Sequence, residues 1–330
     1  MLKIAFVGFR HGHINGLYMQ AVENPEVEVV GAFEADDAAR AAVAESLGVN
    51  FNYDSYEKLL AESGADIIAI GDYFGIRGSR AIAALKTGKH VIADKPLCTS
   101  LAELDEIEKL SAEKGLKVGC MLDLRLSAWV QPVRNFILEG KLGEVHNICF
   151  TAQHPLNYGT RASWYFEDGK QGGTINDIAI HGIDIIPYLT GLKFAKINAA
   201  RCWNAFATKE PNFKDAGMFM VEMSNGAGLM ADVTYAAPSS CGFKLPYYWR
   251  FTIWGEKGVM EFGGNLDPQI TVALEGGDGP IILPVDDAPR GKILDYFMDE
   301  LAGKATDLNT AVVLESSRVA LEIQAAADRA

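Results

Sequence analysis

Five uninterrupted apolar runs punctuate the first 121 residues: "KIAFV", "EVEVVGAF", "DIIAI", "HVIAD" and "KVGCML". A strand with one wet face alternates apolar and polar residues, so continuous runs mean strands covered on both faces. Between the runs lie amphipathic segments with readable helix starts. Asp54 with Glu57 in "DSYE" and Ser100 with Glu103 in "SLAE" have the spacing of capping boxes. Strand and helix repeating at this interval predict a parallel, doubly wound sheet, whose ligands bind at the C-terminal strand edge.

The rhythm changes after "RLSAWVQPVRNFILEGKLGE", read as a helix closed by Gly140 and Gly143. Strands now follow strands: "VHNICFTAQH", "KINAARCWNAFA", "GMFMVEMS", "GLMADVTYAA", "YYWRFTIWG" and "GVMEF", several joined by turn signals such as "SNGAG" and "GEKG". Such a run predicts a mainly antiparallel open sheet in an α+β domain. One helix, "GTINDIAIHGIDIIPYLTG", interrupts it, and "TAVVLESSRVALEIQAAADRA" closes the chain. The expected division is residues 1–122 as a doubly wound α/β domain and 123–330 as the second domain, with a closing helix long enough to pack back on the first.

Charge narrows the partners. With 30 basic and 43 acidic side chains the net charge is −13, which repels nucleic-acid backbones and anionic membranes. The five cysteines are widely spaced with no CxxC pair, so neither a disulfide framework nor a zinc ribbon is expected. No signal-like leader and no apolar run of about 18 residues occur. A cytoplasmic protein with no membrane or nucleic-acid partner is the expectation.

Three stretches carry chemistry. The first is "GFRHGH", at the turn from first strand to first helix, where dinucleotide-binding domains place glycines for the turn and for approach to the pyrophosphate. Gly8 supplies the turn, but Arg10 and His13 occupy the second and third glycine positions. Gly12 offers another place for backbone to approach phosphate. The expected cofactor-lining residues are Gly8, Phe9, Arg10, His11, Gly12, His13 and Ile14. Glu34 ends the second strand about 20 residues on, where a carboxylate accepts ribose hydroxyls and disfavours the extra phosphate of NADP. NAD is therefore expected, with Arg40 keeping NADP open. His11 and His13 alone offer a metal two ligands and no third, so no metal is expected.

The second stretch, "KHVIADKPLCTS", sets Asp94, Lys95 and Pro96 at the C-terminal end of a buried strand. A lysine there, beside a cationic nicotinamide, is placed to act as a proton acceptor. The third, "GGTINDIAIHGID", puts Asp177 and His181 four residues apart on one helix face, so that the carboxylate can orient the imidazole or join it on one substrate. Paired glycines before it imply close approach of another segment.

At these residues the chain resembles the oxidoreductase family named for glucose–fructose oxidoreductase and inositol 2-dehydrogenase. "GKHVIADKP" is similar to the family's GKHV followed by an EKP-type motif, "GGTINDIAIHGIDII" to its GG, D, three residues, H pattern, and "WGEKGVMEF" to a GxxG turn in the late sheet. The resemblance spans nearly the whole chain. It implies a nicotinamide-binding Rossmann domain, and a homodimer or homotetramer built through the C-terminal sheet. Lys95 takes the place of the motif lysine, with His181 as second acid/base candidate, Asp177 as positioning group and a cis bond before Pro96. Asp94 replaces the family's usual Glu, and Asp72, Tyr73 and Arg77 fall where its Thr-Pro pair and following His stand. Asp72, Tyr73, Asp94 and Lys95 complete the expected cofactor set.

The resemblance points to hydride transfer between NAD and a secondary alcohol of a sugar, cyclitol or related polyhydroxy compound. Residues expected to face it are Lys95, Arg125, His154, Trp164, Asp177 and His181, with Asn157, Tyr158 and Tyr165 nearby. The aromatic members equally suit the core beneath the sheet. Two alternatives share the fold: a glycoside-processing enzyme using transient oxidation, and a non-catalytic nucleotide sensor.

Overall fold

The computed structural model describes residues 1–242, 248–264, 268–286 and 291–330. They cluster into two compact units. Unit 1 comprises Met1–Leu122, Gly169–Gly172 and Gly291–Arg318; unit 2 comprises Asp123–Asp168, Gly173–Arg290 and Val319–Ala330.

Unit 1 begins with β1 (Leu2–Val7), α1 (His13–Glu23), β2 (Val27–Phe33), α2 (Asp37–Leu47), α3 (Tyr56–Glu62) and β3 (Ile67–Ile70). α4 (Phe74–Lys86), β4 (His90–Ala93), α5 (Leu101–Lys114) and β5 (Val118–Cys120) follow. The strands form a parallel sheet in the order β2-β1-β3-β4-β5. Ile4 to Val7 and Ile67 to Ile70 are fully buried, as continuous apolar runs require. The chain winds out to β2 and returns across β1 to β3. The topological switch therefore lies between β1 and β3, where such sheets open a crevice at the strand ends. α5 starts at Ser100, whose hydroxyl accepts from the Glu103 amide at 3.2 Å. α3 starts one residue later than the spacing predicts. Ser55 is its cap, because the Asp54 carboxylate is taken by Lys58 Nζ at 2.7 Å.

Unit 2 opens on a 3-10 turn at Asp123–Leu126, so α6 (Val130–Leu138) is shorter than the sequence implies. β6 (Val145–Pro155), a π-helical stretch at Ile175–Ala179, α7 (Ile180–Thr190), β7 (Phe194–Trp203), β8 (Ala216–Met223) and β9 (Gly228–Ala237) follow. β10 (Trp249–Gly255), β11 (Gly258–Gly263), β12 (Gln269–Leu274) and β13 (Ile281–Leu283) complete the sheet. Of the stretch read as "YYWRFTIWG", Tyr247 lies outside the described residues. The strands order as β13-β12-β11-β10-β6-β9-β8-β7, antiparallel except for the parallel pair β6 and β9. Phe150, Phe251, Trp129 and Phe262 pack on one another with centroids 5.0 to 5.7 Å apart, forming an aromatic core against the sheet. Two further helices end the chain. α8 (Ile293–Leu301) belongs to unit 1, and α9 (Thr310–Asp328) gives its first half to unit 1 and its second to unit 2.

Candidate active-site residues in the two units

In unit 1 the altered glycine loop is pinned at the switch point. The Gly8 amide donates to Phe33 O at 2.8 Å, and the Arg10 amide to Gly71 O at 2.8 Å, tying the loop to the ends of β2 and β3. Gly8 has φ +77°, and a Cβ there would meet Asp72 Cα at 2.5 Å, so glycine is required on both counts. Gly12 caps α1 with no atom within 4 Å of where its Cβ would stand. That opening at a helix N-terminus suits a dinucleotide pyrophosphate despite Arg10 and His13. The side chains of Phe9 and Ile14 turn into the core. Phe9 packs against Phe6, Tyr18 and Phe51, and Ile14 is fully buried against Gly71. Apolar burial outcompetes exposure to a polar ligand at both positions.

Glu34 is likewise drawn inward. It is 1% exposed, and its two oxygens accept from the Phe9 amide at 2.6 Å and the Asp36 amide at 2.8 Å. Burial pushes its carboxyl above the usual range against the pull of those amides. Arg10 lies beside it, 3.8 Å from Glu34 and 3.3 Å from the outer carboxylate of Asp36. Where a second glycine would leave space, the loop carries a guanidinium clamped between two acids.

The end of β4 is built around a second arginine. Arg77 is fully buried, and its guanidinium donates to the carbonyls of Asp72 (2.7 Å), Asp94 (2.9 Å), Lys95 (2.6 Å) and Pro96 (3.2 Å). The Lys95–Pro96 bond is cis, as the resemblance implies. One side chain thus holds the end of β3 and the whole Asp-Lys-Pro turn. Asp94, fully buried, lies 3.5 Å from Arg77, 2.8 Å from His11 Nδ1 and 3.4 Å from His13 Nδ1. Burial opposes its charge, but the interactions with His11, Arg77 and His13 prevail and hold the carboxyl well below the usual range. Burial pushes His11 down to about 4 in spite of Asp94, so the imidazole is neutral at pH 7. Asp72 pairs with Arg80 at 2.8 Å, and the Tyr73 ring receives Lys170 at 5.0 Å from its centroid.

In unit 2, Asp177 and His181 stand on a helix that differs from the expected one. Ile175–Ala179 is π-helical, and only from Ile180 does the α-helix proceed. The wider turn coincides with a side chain at its mouth: Gln324 Oε1 of α9 accepts from the Ile175 amide at 2.9 Å and the Asn176 amide at 3.3 Å. Gly173, at φ +102°, leaves room for it, since a Cβ would meet Gln324 Cδ at 2.1 Å. π-turns inside helices recur at functional sites.

The turn delivers Asp177 to Tyr235, whose hydroxyl donates to Asp177 Oδ2 in a short hydrogen bond. Tyr235 is 2% exposed, and burial followed by the Asp177 charge pushes its hydroxyl well above the ordinary tyrosine range. His181 packs edge-on to Trp249 at 5.6 Å, with its Nδ1 3.8 Å from Asp123. His154 pairs through Nε2 with the Tyr248 hydroxyl at 2.9 Å, and its ring meets Tyr235 and Trp249. Asp177, His181, His154, Tyr235 and Trp249 are therefore joined through one aromatic cluster.

Two further residues of the expected set are buried. Arg125, read as substrate-facing, is buried in a bidentate pair with Asp184 (2.7 and 2.8 Å), under which Tyr188 lies. That guanidinium holds the 3-10 turn to α7. Trp164 is 1% exposed and stacks on Tyr165, as the core reading of the aromatics allows. Tyr235, Trp249, Tyr248 and Gln324 are the residues that sequence reasoning misses. Tyr235 sits at an inward position of β9, a pattern that marks burial and carries no sign of function.

Residues 2–121 match the model of an oxidoreductase family described as an NAD-binding Rossmann fold, and residues 130–261 match the GFO/IDH/MocA C-terminal domain. A 1,5-anhydro-D-fructose reductase from Ensifer adhaerens is 24% identical over 271 residues, 79% of this chain and 76% of the relative. A levoglucosan dehydrogenase from Pseudarthrobacter phenanthrenivorans is 25% identical over 264 residues, 73% of this chain and 66% of the relative. The crystal structure of an inositol dehydrogenase homologue from Azotobacter vinelandii, complexed with NAD+, superposes with a TM-score of 0.80. It is 16% identical and covers 99% of this chain and 95% of its own.

Proposed function

The chain belongs to the Gfo/Idh/MocA family of oxidoreductases and carries its NAD-binding Rossmann domain, and from that premise we propose that it oxidises a secondary alcohol of a sugar, cyclitol or related polyhydroxy compound. The carrying observation is the place of Lys95, a lysine 3% exposed at the C-terminal edge of the parallel sheet, in a turn held by Arg77. In this reading Lys95 Nζ accepts the proton of the reacting hydroxyl and returns it in the reductive direction.

The other residues bind and orient. Gly8 and Gly12 admit the pyrophosphate, and Asp36 with Arg10 borders the adenosine side. When bound, nicotinamide supplies the hydride-accepting carbon. Asp177, aligned by Tyr235, accepts hydrogen bonds from substrate hydroxyls, and His181 is the second acid/base. Sugar-acting relatives support the substrate class: the Ensifer protein is named for 1,5-anhydro-D-fructose and the Pseudarthrobacter protein for levoglucosan. Cytoplasmic location and a homo-oligomer built on the C-terminal sheet belong to the same proposal. No described helix is long and apolar enough to cross a membrane.

The test has two arms. Calorimetry of cofactor-stripped protein against NAD and NADP is expected to give micromolar binding of NAD, and silence with both would sink the reading. A panel of polyols and sugars with NAD is expected to raise nicotinamide absorbance. Released glycan without accumulated NADH would instead identify the glycoside-processing alternative.

A further inference from the structure

The sequence offers His11 and His13 without a third ligand, and the fold supplies one. Asp94, 83 positions beyond His11, comes from the end of β4 to the start of α1. One donor atom from each of the three residues lies within 4.8 Å of the others. Around a tetrahedral ion with bonds of about 2.0–2.2 Å, neighbouring donors stand about 3.4 Å apart. His13 Nδ1 and Asp94 Oδ1 already have that separation, 3.4 Å, and His11 Nδ1 lies 2.8 Å from Asp94 Oδ2.

Asp94 gives an independent sign. Its Oδ1 is fully buried and accepts no hydrogen bond among the described residues. A buried carboxylate oxygen without a donor is expensive. Arg77 does not relieve it, because its nitrogen approaches the other oxygen at 3.5 Å and its hydrogen bonds go to four main-chain carbonyls. Oδ1 therefore faces the imidazole of His13 with capacity to spare. The His-Gly-His spacing helps, since Gly12 adds no side chain between the two rings, whose centroids stand 4.8 Å apart.

We propose that His11, His13 and Asp94 form a binding site for a divalent transition ion of the Zn2+ type, three protein ligands leaving at least one coordination position open. Two imidazoles and one carboxylate are the ligand set that such ions take when they also bind water or an oxygen ligand. Hard ions such as Mg2+ and Ca2+ prefer oxygen-rich sites and are discriminated against here. Arg77 and Lys95 bring positive charge close by, which weakens the site and predicts reversible exchange.

The inference does not rest on the proposed reaction, and its test uses neither NAD nor turnover. The full chain, stripped with chelator, is titrated with Co2+ as a spectroscopic stand-in for Zn2+. One equivalent is expected, with visible d–d bands of a nitrogen-and-oxygen site that Zn2+ then displaces. His11→Ala and His13→Ala, both on the rim of the loop and checked for native circular dichroism, are each expected to weaken Co2+ binding by at least about tenfold. His11→Gln serves if His11→Ala does not fold. Absence of d–d bands in the parent protein overturns the proposal. So do bands that persist at undiminished affinity in His11 and His13 variants, because other imidazoles would then hold the ion.

Discussion

The two stretches to which the proposed reaction is assigned are held in place by different physics. At the end of β4, Lys95 sits in a turn organised by charge: Arg77 on four carbonyls and on Asp94, Asp94 on His11 and His13, and Arg80 on Asp72. At the π-turn, Asp177 and His181 are organised by shape and neutral donors: Gln324 on two amides, Tyr235 on Asp177, Trp249 against His181. A charged network in a dry interior fails by leaving an uncompensated ion, whereas a neutral one fails by leaving an unmade hydrogen bond. The first is the more brittle, and substitutions there are expected to cost more.

The largest expected effect is chemical. Lys95→Ala should lower turnover of any accepted polyol by about 10²–10⁴-fold, the usual contribution of a positioned acid/base, while calorimetric NAD binding persists. Turnover within a few-fold of the parent would remove Lys95 from the reaction. Next comes Arg77→Met, which strips Asp94 and the Asp-Lys-Pro turn of their buried cation. A loss of about 3–5 kcal/mol in urea unfolding is expected, and a loss below about 1 kcal/mol would mean that charge does not hold this turn.

The neutral network should give less. Tyr235→Phe removes one donor from Asp177 and is expected to cost about 1–3 kcal/mol, together with a rise in KM for substrate. An unchanged KM would show that the Tyr235–Asp177 contact serves packing alone. Smallest is an alkaline effect. Burial raises the hydroxyls of Tyr235 and Tyr248 in the folded state, above an unfolded value of about 10. Their stabilising contribution is therefore complete below about pH 10 and declines as pH rises beyond it, because the unfolded chain releases those protons more readily. Melting temperature should fall above that pH in the parent, and fall less steeply in Tyr235→Phe. Equal slopes would refute the assignment.

Legibility differed between the layers. The parallel sheet was readable because burial on both faces leaves apolar runs with no alternation, and the places of Lys95 at a strand end and of Asp177 and His181 on one helix were readable because their motifs are local. The side chains of Phe9 and Ile14 lie in the core and Arg125 pairs with Asp184, surroundings that their motif positions did not show. Motif position does not reveal which way a side chain turns once packing competes for it. Arg77 stood out only as a replacement for a family histidine, and Tyr235 and Gln324 carried no signal, since their partners lie 58 and 149 positions away.

By itself the sequence determined two sheets of opposite character, the strand end that carries Lys95, the helix that carries Asp177 and His181, and the glycine that opens the first loop. These follow from periodicity, turn chemistry and short motifs, all written within a few residues. Tertiary structure alone decided that Glu34 turns inward under Arg10, that Asp94 meets both loop histidines, that Arg77 spans the Asp-Lys-Pro turn, and that a glutamine near the C-terminus accompanies a π-turn. Each brings together groups far apart in the chain, and burial sets the energetic cost of leaving any of them unmatched.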